Sequence, residues 1–134
     1  MKRRDFLLTV CTAAAATVVG TAAARAVGKR IEAPIAHGFH ATLKAKPGMG
    51  DALVDLLFEA PAFENDNCLI FLIGRSKSNR DLIFLTEGWS SEEAHRQFTG
   101  TETSKAYIAR FGPLVDGDST YLDEVPVGGK AVLG

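Results

Sequence analysis

Between Asn65 and Ser90 the chain carries two apolar runs joined by a short polar segment, and this stretch narrows the fold more than any other. Cys68 to Ile73 (Cys-Leu-Ile-Phe-Leu-Ile) is apolar at every position and is bounded by Asn65-Asp66-Asn67 and by Gly74. A run of that length and composition reads as a strand buried on both faces. Arg75 to Asp81 reads as a loop, and Leu82 to Trp89 as a second strand. The two are expected to pair as an antiparallel hairpin.

The flanking segments complete the pattern. From His37, Phe39, Ala41 and Leu43 alternate with His40, Thr42 and Lys44, the period of a strand, which Lys46-Pro47-Gly48 ends. Leu53, Leu56, Leu57 and Ala60 then recur at helical spacing, with Asp51, Asp55 and Glu59 opposite, until Pro61 stops the helix. Ser90-Ser91-Glu92-Glu93 reads as a capping box with Ser90 as N-cap. The helix it opens carries Ala94 and Phe98 on one face, breaks near Gly100, and resumes from about Ser104 to Phe111. Ser119 to Val125 reads as the last strand. The order β-α-β-β-α-β is that of a ferredoxin-like α+β unit. Helices cover one face of such a sheet, yet Cys68 to Ile73 is apolar at every position, as is Leu82 to Leu85. A lone copy would expose a broad apolar face, so two copies are expected to stack sheet on sheet as a homodimer.

The N-terminus reads as a targeting segment. Lys2-Arg3-Arg4 precedes an uncharged stretch from Phe6 to Ala24, and Ala24-Arg25-Ala26 has the form of a cleavage site. Arg3-Arg4-Asp5-Phe6-Leu7 resembles the twin-arginine export signal. The expected organisation is a signal at 1–26, a leader at 27–35, one domain at 36–126 and a loose tail at 127–134. It implies a periplasmic protein with no stable membrane association once the signal is removed. Residues 27–134 carry eleven Lys/Arg against fifteen Asp/Glu, a formal charge of −4. An acidic domain without a basic block argues against nucleic-acid binding.

Cys11 lies in the signal, which leaves Cys68 alone and rules out an internal disulfide after cleavage. At the head of an apolar run, Cys68 reads as a small core residue. His37 and His40 are three apart on a strand and point to opposite faces, so they do not chelate one ion, and no metal site is expected. No Gly-x-Ser-x-Gly, phosphate-loop or dinucleotide fingerprint is present.

Lys46-Pro47-Gly48, Asn67-Cys68-Leu69 and above all Glu87-Gly88-Trp89-Ser90-Ser91-Glu92-Glu93-Ala94-His95, in this order on this frame, resemble the antibiotic-biosynthesis monooxygenase family over roughly residues 36–126. The resemblance implies a dimeric α+β barrel and, in one branch, oxidation of quinols or aromatic polyketides by molecular oxygen without metal or flavin. Other members degrade haem or isomerise small metabolites, so fold follows from family better than function does. This chain departs from two branches. Phe98 stands where many quinol-oxidising relatives carry a histidine. The haem-degrading branch has a tryptophan there and a histidine about ten residues on, against Phe98 and Ile108 here.

Cofactor-free oxidation needs a base and an apolar pocket that shelters the anion. The candidate bases are His37, His40, His95, Glu87 and Tyr107. His40 is expected to look into the barrel interior as base or anchor, assisted by Glu87. Trp89, Phe98, Phe71 and Phe84 are expected to supply substrate-binding walls, with Trp89 alternatively a core plug. His95 reads as a solvated surface residue and His37 as part of a ragged strand start. The rival reading is a non-catalytic module for a small aromatic or haem-like ligand, and a third is an isomerase.

Overall fold

The computed structural model describes residues 29–30, 35–117 and 119–133. The twin-arginine motif, the cleavage site and most of the leader lie outside the described residues. Two units are distinguished, 31–127 and a smaller one formed by the chain ends. In the smaller unit, β1 (Lys29–Arg30) pairs antiparallel with β6 (Gly128–Gly129), so the leader and tail carry a short ladder where irregular chain was expected.

In the larger unit, β2 (His37–Lys44), β3 (Cys68–Arg75), β4 (Leu82–Trp89) and β5 (Thr120–Asp123) form one antiparallel sheet in the order β3-β4-β2-β5. This is the ferredoxin-like α+β arrangement expected from the element order. The helices are α1 (Gly50–Leu57), α2 (Glu92–Thr99) and α3 (Glu102–Ala109), with a 3₁₀ turn at Pro61–Glu64. One sheet face is packed: Ala41 and Leu43 of β2 and Ile83 and Leu85 of β4 are buried with Leu53 and Leu57 of α1. Burying a side chain of that size contributes about 1.5–3 kcal/mol.

Several local expectations shift. Ser91, not Ser90, caps α2: its side chain accepts the Ala94 amide at 3.0 Å. Ser90 is held at the hairpin end instead, donating its hydroxyl to Asn67 Oδ1 at 2.7 Å and its amide to the Asn67 carbonyl at 2.9 Å. Cys68–Ile73 is buried on both faces in neither half. A bulge between Cys68 and Ile70 turns Leu69 outward, and Leu72 on the uncovered face is 45% exposed. α1 ends at Leu57, short of the Ala60 expected, and Pro61, expected to stop it, instead opens the 3₁₀ turn that places Ala62 in the core. The last strand is shorter than the Ser119–Val125 expected.

α1 has no side-chain cap of its own at Met49. The donors are met from the hairpin loop, where Asp81 accepts the amides of Gly48 (3.0 Å) and Gly50 (2.9 Å) on its two carboxylate oxygens. Gly48 takes φ +82°, which favours glycine at this turn, and a Cβ on Gly50 would stand 2.1 Å from the Arg80 carbonyl oxygen, so it is Gly50 that permits the close approach. Asp81→Ala is expected to cost about 1–2 kcal/mol, the upper range for a lost N-terminal cap, read as a lower urea midpoint at unchanged m-value.

Candidate active site

The alternation of β4 places Ile83, Leu85, Glu87 and Trp89 on the packed face, so a carboxylate is carried into the core with its hydrophobic neighbours. Across the ladders Glu87 faces Phe39 of β2 on one side and Phe71 of β3 on the other. It is 8% exposed. Among the described residues its one close donor is the Trp89 indole, which donates Nε1–H to Glu87 Oε1 at 2.7 Å. Trp89 itself is fully buried among Ala60, Ala62, Phe71 and Phe98.

Glu87 lies at the wall of a cavity of about 440 Å³ between the sheet and the helices. Phe39, Phe71, Phe98, Tyr107, Phe111 and Tyr121 give it an aromatic lining. The volume is of the size that encloses a small organic molecule. Burial pushes the Glu87 carboxyl up to about 7, against a smaller opposing effect of the Trp89 hydrogen bond. At neutral pH this group therefore samples both protonation states. Tyr107 is a weaker base candidate, because burial raises its phenol and its hydroxyl donates to the Leu56 carbonyl at 2.9 Å.

His95 reaches the same cavity from α2. Its Nε2 stands 4.0 Å from Glu87 Oε1, and its ring lies 4.9 Å from the Trp89 ring and 5.9 Å from Phe39. His37 Nε2 is 3.0 Å from His95 Nδ1, with either ring able to donate. Burial lowers the His95 pKa, and the neighbouring His37 lowers it further, which favours the uncharged ring. The expectation of a solvated His95 is corrected: its side chain is 22% exposed and lines the cavity. The sequence carried a sign of this, since His95, Phe98 and Thr99 fall on one helical face. His37 likewise shares the alternation of Phe39, Ala41 and Leu43.

The remaining site candidates divide between the two faces of the sheet. Phe71 and Phe98 line the cavity with Glu87, and Trp89 supports them from the core. His40 and Phe84 are on the opposite face, where His40 Nδ1 lies 3.1 Å from Thr86 Oγ1 and the two rings stack at 6.1 Å. His40 and Glu87, expected to act together, are thus separated by the thickness of the sheet. Cys68 sits beside the Trp89 cluster, and burial pushes its thiol up to about 12, far from a nucleophile's range. Among the described residues, no three of His, Cys, Asp and Glu gather where they could hold a metal ion. No helix of the described residues is long and apolar enough to cross a membrane.

A family model described as antibiotic biosynthesis monooxygenase matches residues 37–110, more than half of the chain. The chain belongs to this family. Solved structures share its fold. A Chloroflexus aurantiacus protein, assigned provisionally as an antibiotic biosynthesis monooxygenase, is 29% identical, with a TM-score of 0.63 over 71% of this chain and 96% of its own. A Mycobacterium tuberculosis protein is 22% identical (TM-score 0.59; 67% and 93% covered), and one from Pseudomonas aeruginosa is 20% identical (0.60; 71% and 97%). No curated protein matches the sequence. Family membership establishes the scaffold, while the reaction has to be argued from the cavity.

Proposed function

We propose that this family member is a cofactor-independent monooxygenase acting on a small aromatic or quinol-type substrate with molecular oxygen. The observation that carries the reading is the Glu87 carboxyl, buried and raised to about 7, at the wall of an aromatic-lined cavity. A phenol or hydroquinone bound there with its hydroxyl toward Glu87 gives its proton to the carboxylate. The electron-rich anion, sheltered from water, then passes an electron to dioxygen. Glu87 takes the role of base and Phe39, Phe71 and Phe98 hold the ring, while His40 has a place in the subunit interface instead. The signal-like pattern at 1–26, Arg3-Arg4 ahead of an uncharged stretch, supports a periplasmic location for this reaction.

Oxygen uptake by the full chain, without added metal or flavin, tests the reading across a panel of hydroquinones and polyphenols against autoxidation blanks. Uptake above blank is expected, surviving His40→Ala and rising with pH through about 7 as Glu87 ionises. Absence of uptake across the panel, or its loss in His40→Ala with the fold intact, contradicts it.

The uncovered face of the sheet supports a homodimer. Leu72 and Leu122 are 45% and 68% exposed there, beside Phe84 and His40. Apolar side chains on one flat face are what a second copy would cover. Leu72→Glu is expected to shift sedimentation equilibrium from dimer to monomer. A wild-type protein already monomeric at tens of micromolar would rule the pairing out.

A further inference from the structure

Of the titratable groups around Glu87, Cys68, Tyr107 and Tyr121 have their pKa raised, while His95 and His37 continue outward from it in a line. Trp89 Nε1 donates to Glu87 Oε1 at 2.7 Å, His95 Nε2 stands 4.0 Å from that same oxygen, and His95 Nδ1 is 3.0 Å from His37 Nε2. The line also has two ends of different character. Glu87 lies in the aromatic cavity, while His37 lines a second, more open recess of about 370 Å³ that Glu87 does not touch. His95, Phe39, Thr99 and Tyr121 belong to the walls of both. Of these, only His95 has two ring nitrogens, one on each side. Phe39 is apolar, and burial holds the Tyr121 phenol in its neutral form at ordinary pH.

We propose that His95 and His37 relay protons between Glu87 and solvent, with His37 as the exit residue in the outer recess. The assignment rests on reading Glu87 as the base of the cavity. In each turnover Glu87 takes the substrate proton, and its carboxyl then gives that proton to His95 Nε2. His95 releases a different proton from Nδ1 to His37 Nε2, and His37 gives up its own Nδ1 proton to water. One proton leaves the cavity, no electron moves, and the two histidines end in the opposite tautomer. A proton returning along the same line to the reduced dioxygen restores them, so that the overall oxidation, hydroquinone and dioxygen to hydroxyquinone and water, releases no net proton. The 4.0 Å step closes within a rotamer adjustment, as separations between catalytic groups often do once a ligand is bound. The relay suits a buried carboxyl in a mostly apolar lining, where few other groups can take its proton.

The groups facing the histidines fit this direction. Glu92 and Arg96 come from α2, Tyr121 and Asp123 from β5, Glu87 from β4, and all but Glu87 border the outer recess. Arg96 is paired with Glu93, and the acids Glu92 and Asp123 line the recess onto which His37 opens. His95, further in, is held neutral and so remains able to accept from Glu87.

The test needs no substrate. A laser-induced pH jump on the full chain, followed by infrared absorption of the protonated carboxyl, reports when a proton reaches or leaves Glu87. The Glu87 band is the one missing in Glu87→Gln. In His37→Gln the response is expected to slow on the order of tenfold, and added imidazole, a diffusible base of the size of the lost ring, is expected to restore it. An unchanged rate in His37→Gln, or a slowing that imidazole does not relieve, would overturn the relay. So would a carboxyl band that does not respond to the jump. Oxygen uptake is a separate readout: if the wild type consumes none, the proposed reaction fails while the infrared result still decides the relay.

Discussion

Glu87→Gln is expected to lower kcat for quinol oxidation by about 10²–10⁴-fold, the usual contribution of a positioned base, with a much smaller change in KM. Gln is close to isosteric. Its side-chain oxygen keeps the Trp89 indole as donor, so the loss reports proton transfer rather than collapse of the cavity. The same substitution is expected to stabilise the protein at alkaline pH. The folded carboxyl titrates near 7 and the unfolded one near 4.5, so the native state holds the extra proton between those values. Stability attributable to Glu87 is therefore fully present below pH 4.5 and is lost as pH rises through 7, a change of about 3 kcal/mol by linkage. His95 works in the opposite sense: its lowered pKa withdraws stability as pH falls below the ordinary imidazole range. Urea unfolding at pH 8 should thus find Glu87→Gln more stable than wild type, with the difference shrinking toward pH 4. Equal stability at both pH values would show that Glu87 is not held in the raised state. A protein less active but more stable is the signature of a group kept for chemistry at the expense of the fold.

Trp89→Ala is expected to be among the most damaging single changes, costing about 3–5 kcal/mol as a cavity opens among Ala60, Ala62, Phe71 and Phe98. For a domain of this size each kcal/mol corresponds to roughly 4–8 °C in melting temperature, so calorimetry should show a drop well beyond ten degrees. Trp89→Phe separates packing from polarity. The ring is largely retained, but Glu87 Oε1 loses the Trp89 indole as donor, a hydrogen bond that holds the carboxyl down. The activity profile of Trp89→Phe should therefore move to higher pH, with a much smaller loss of stability than Trp89→Ala. An unmoved profile would mean that the indole N–H does not set the ionisation of Glu87.

The scaffold was legible in the sequence because its signals are local. The period-two pattern from His37, the helical recurrence of Leu53, Leu56 and Leu57, and the uninterrupted apolar hairpin runs each follow from which side of one element meets the core. The side of the sheet holding the cavity was harder to read. His40 and Glu87 are both ionisable residues in apolar strands, and alternation alone shows that each has one neighbour set facing in and another facing out. The pairing register decides: Glu87 is opposite Phe39, and His40 is opposite Thr86, which puts them on different faces. That register follows from contacts across strands far apart in sequence. The cap of α1 escaped for the same reason, since its acceptor, Asp81, lies about thirty residues away in the hairpin loop. His95 was accessible in principle through its spacing from Phe98, but a histidine one place after a core alanine on a capped helix also matches a solvated face. Its burial comes from β2 and β4, through His37, Phe39 and Trp89, and not from its own helix.

The claim on which everything else depends is that substrate binds between the sheet and the helices, against Glu87, and not on the outer face beside His40. A crystal structure with a soaked, non-autoxidising phenol tests this directly. The account predicts the ring between Phe39, Phe98 and Tyr107, with its hydroxyl within hydrogen-bond reach of a Glu87 oxygen. A ring stacked instead on Phe84 and hydrogen-bonded to His40, with the inner cavity empty, would contradict it and return the catalytic role to the opposite face of the sheet.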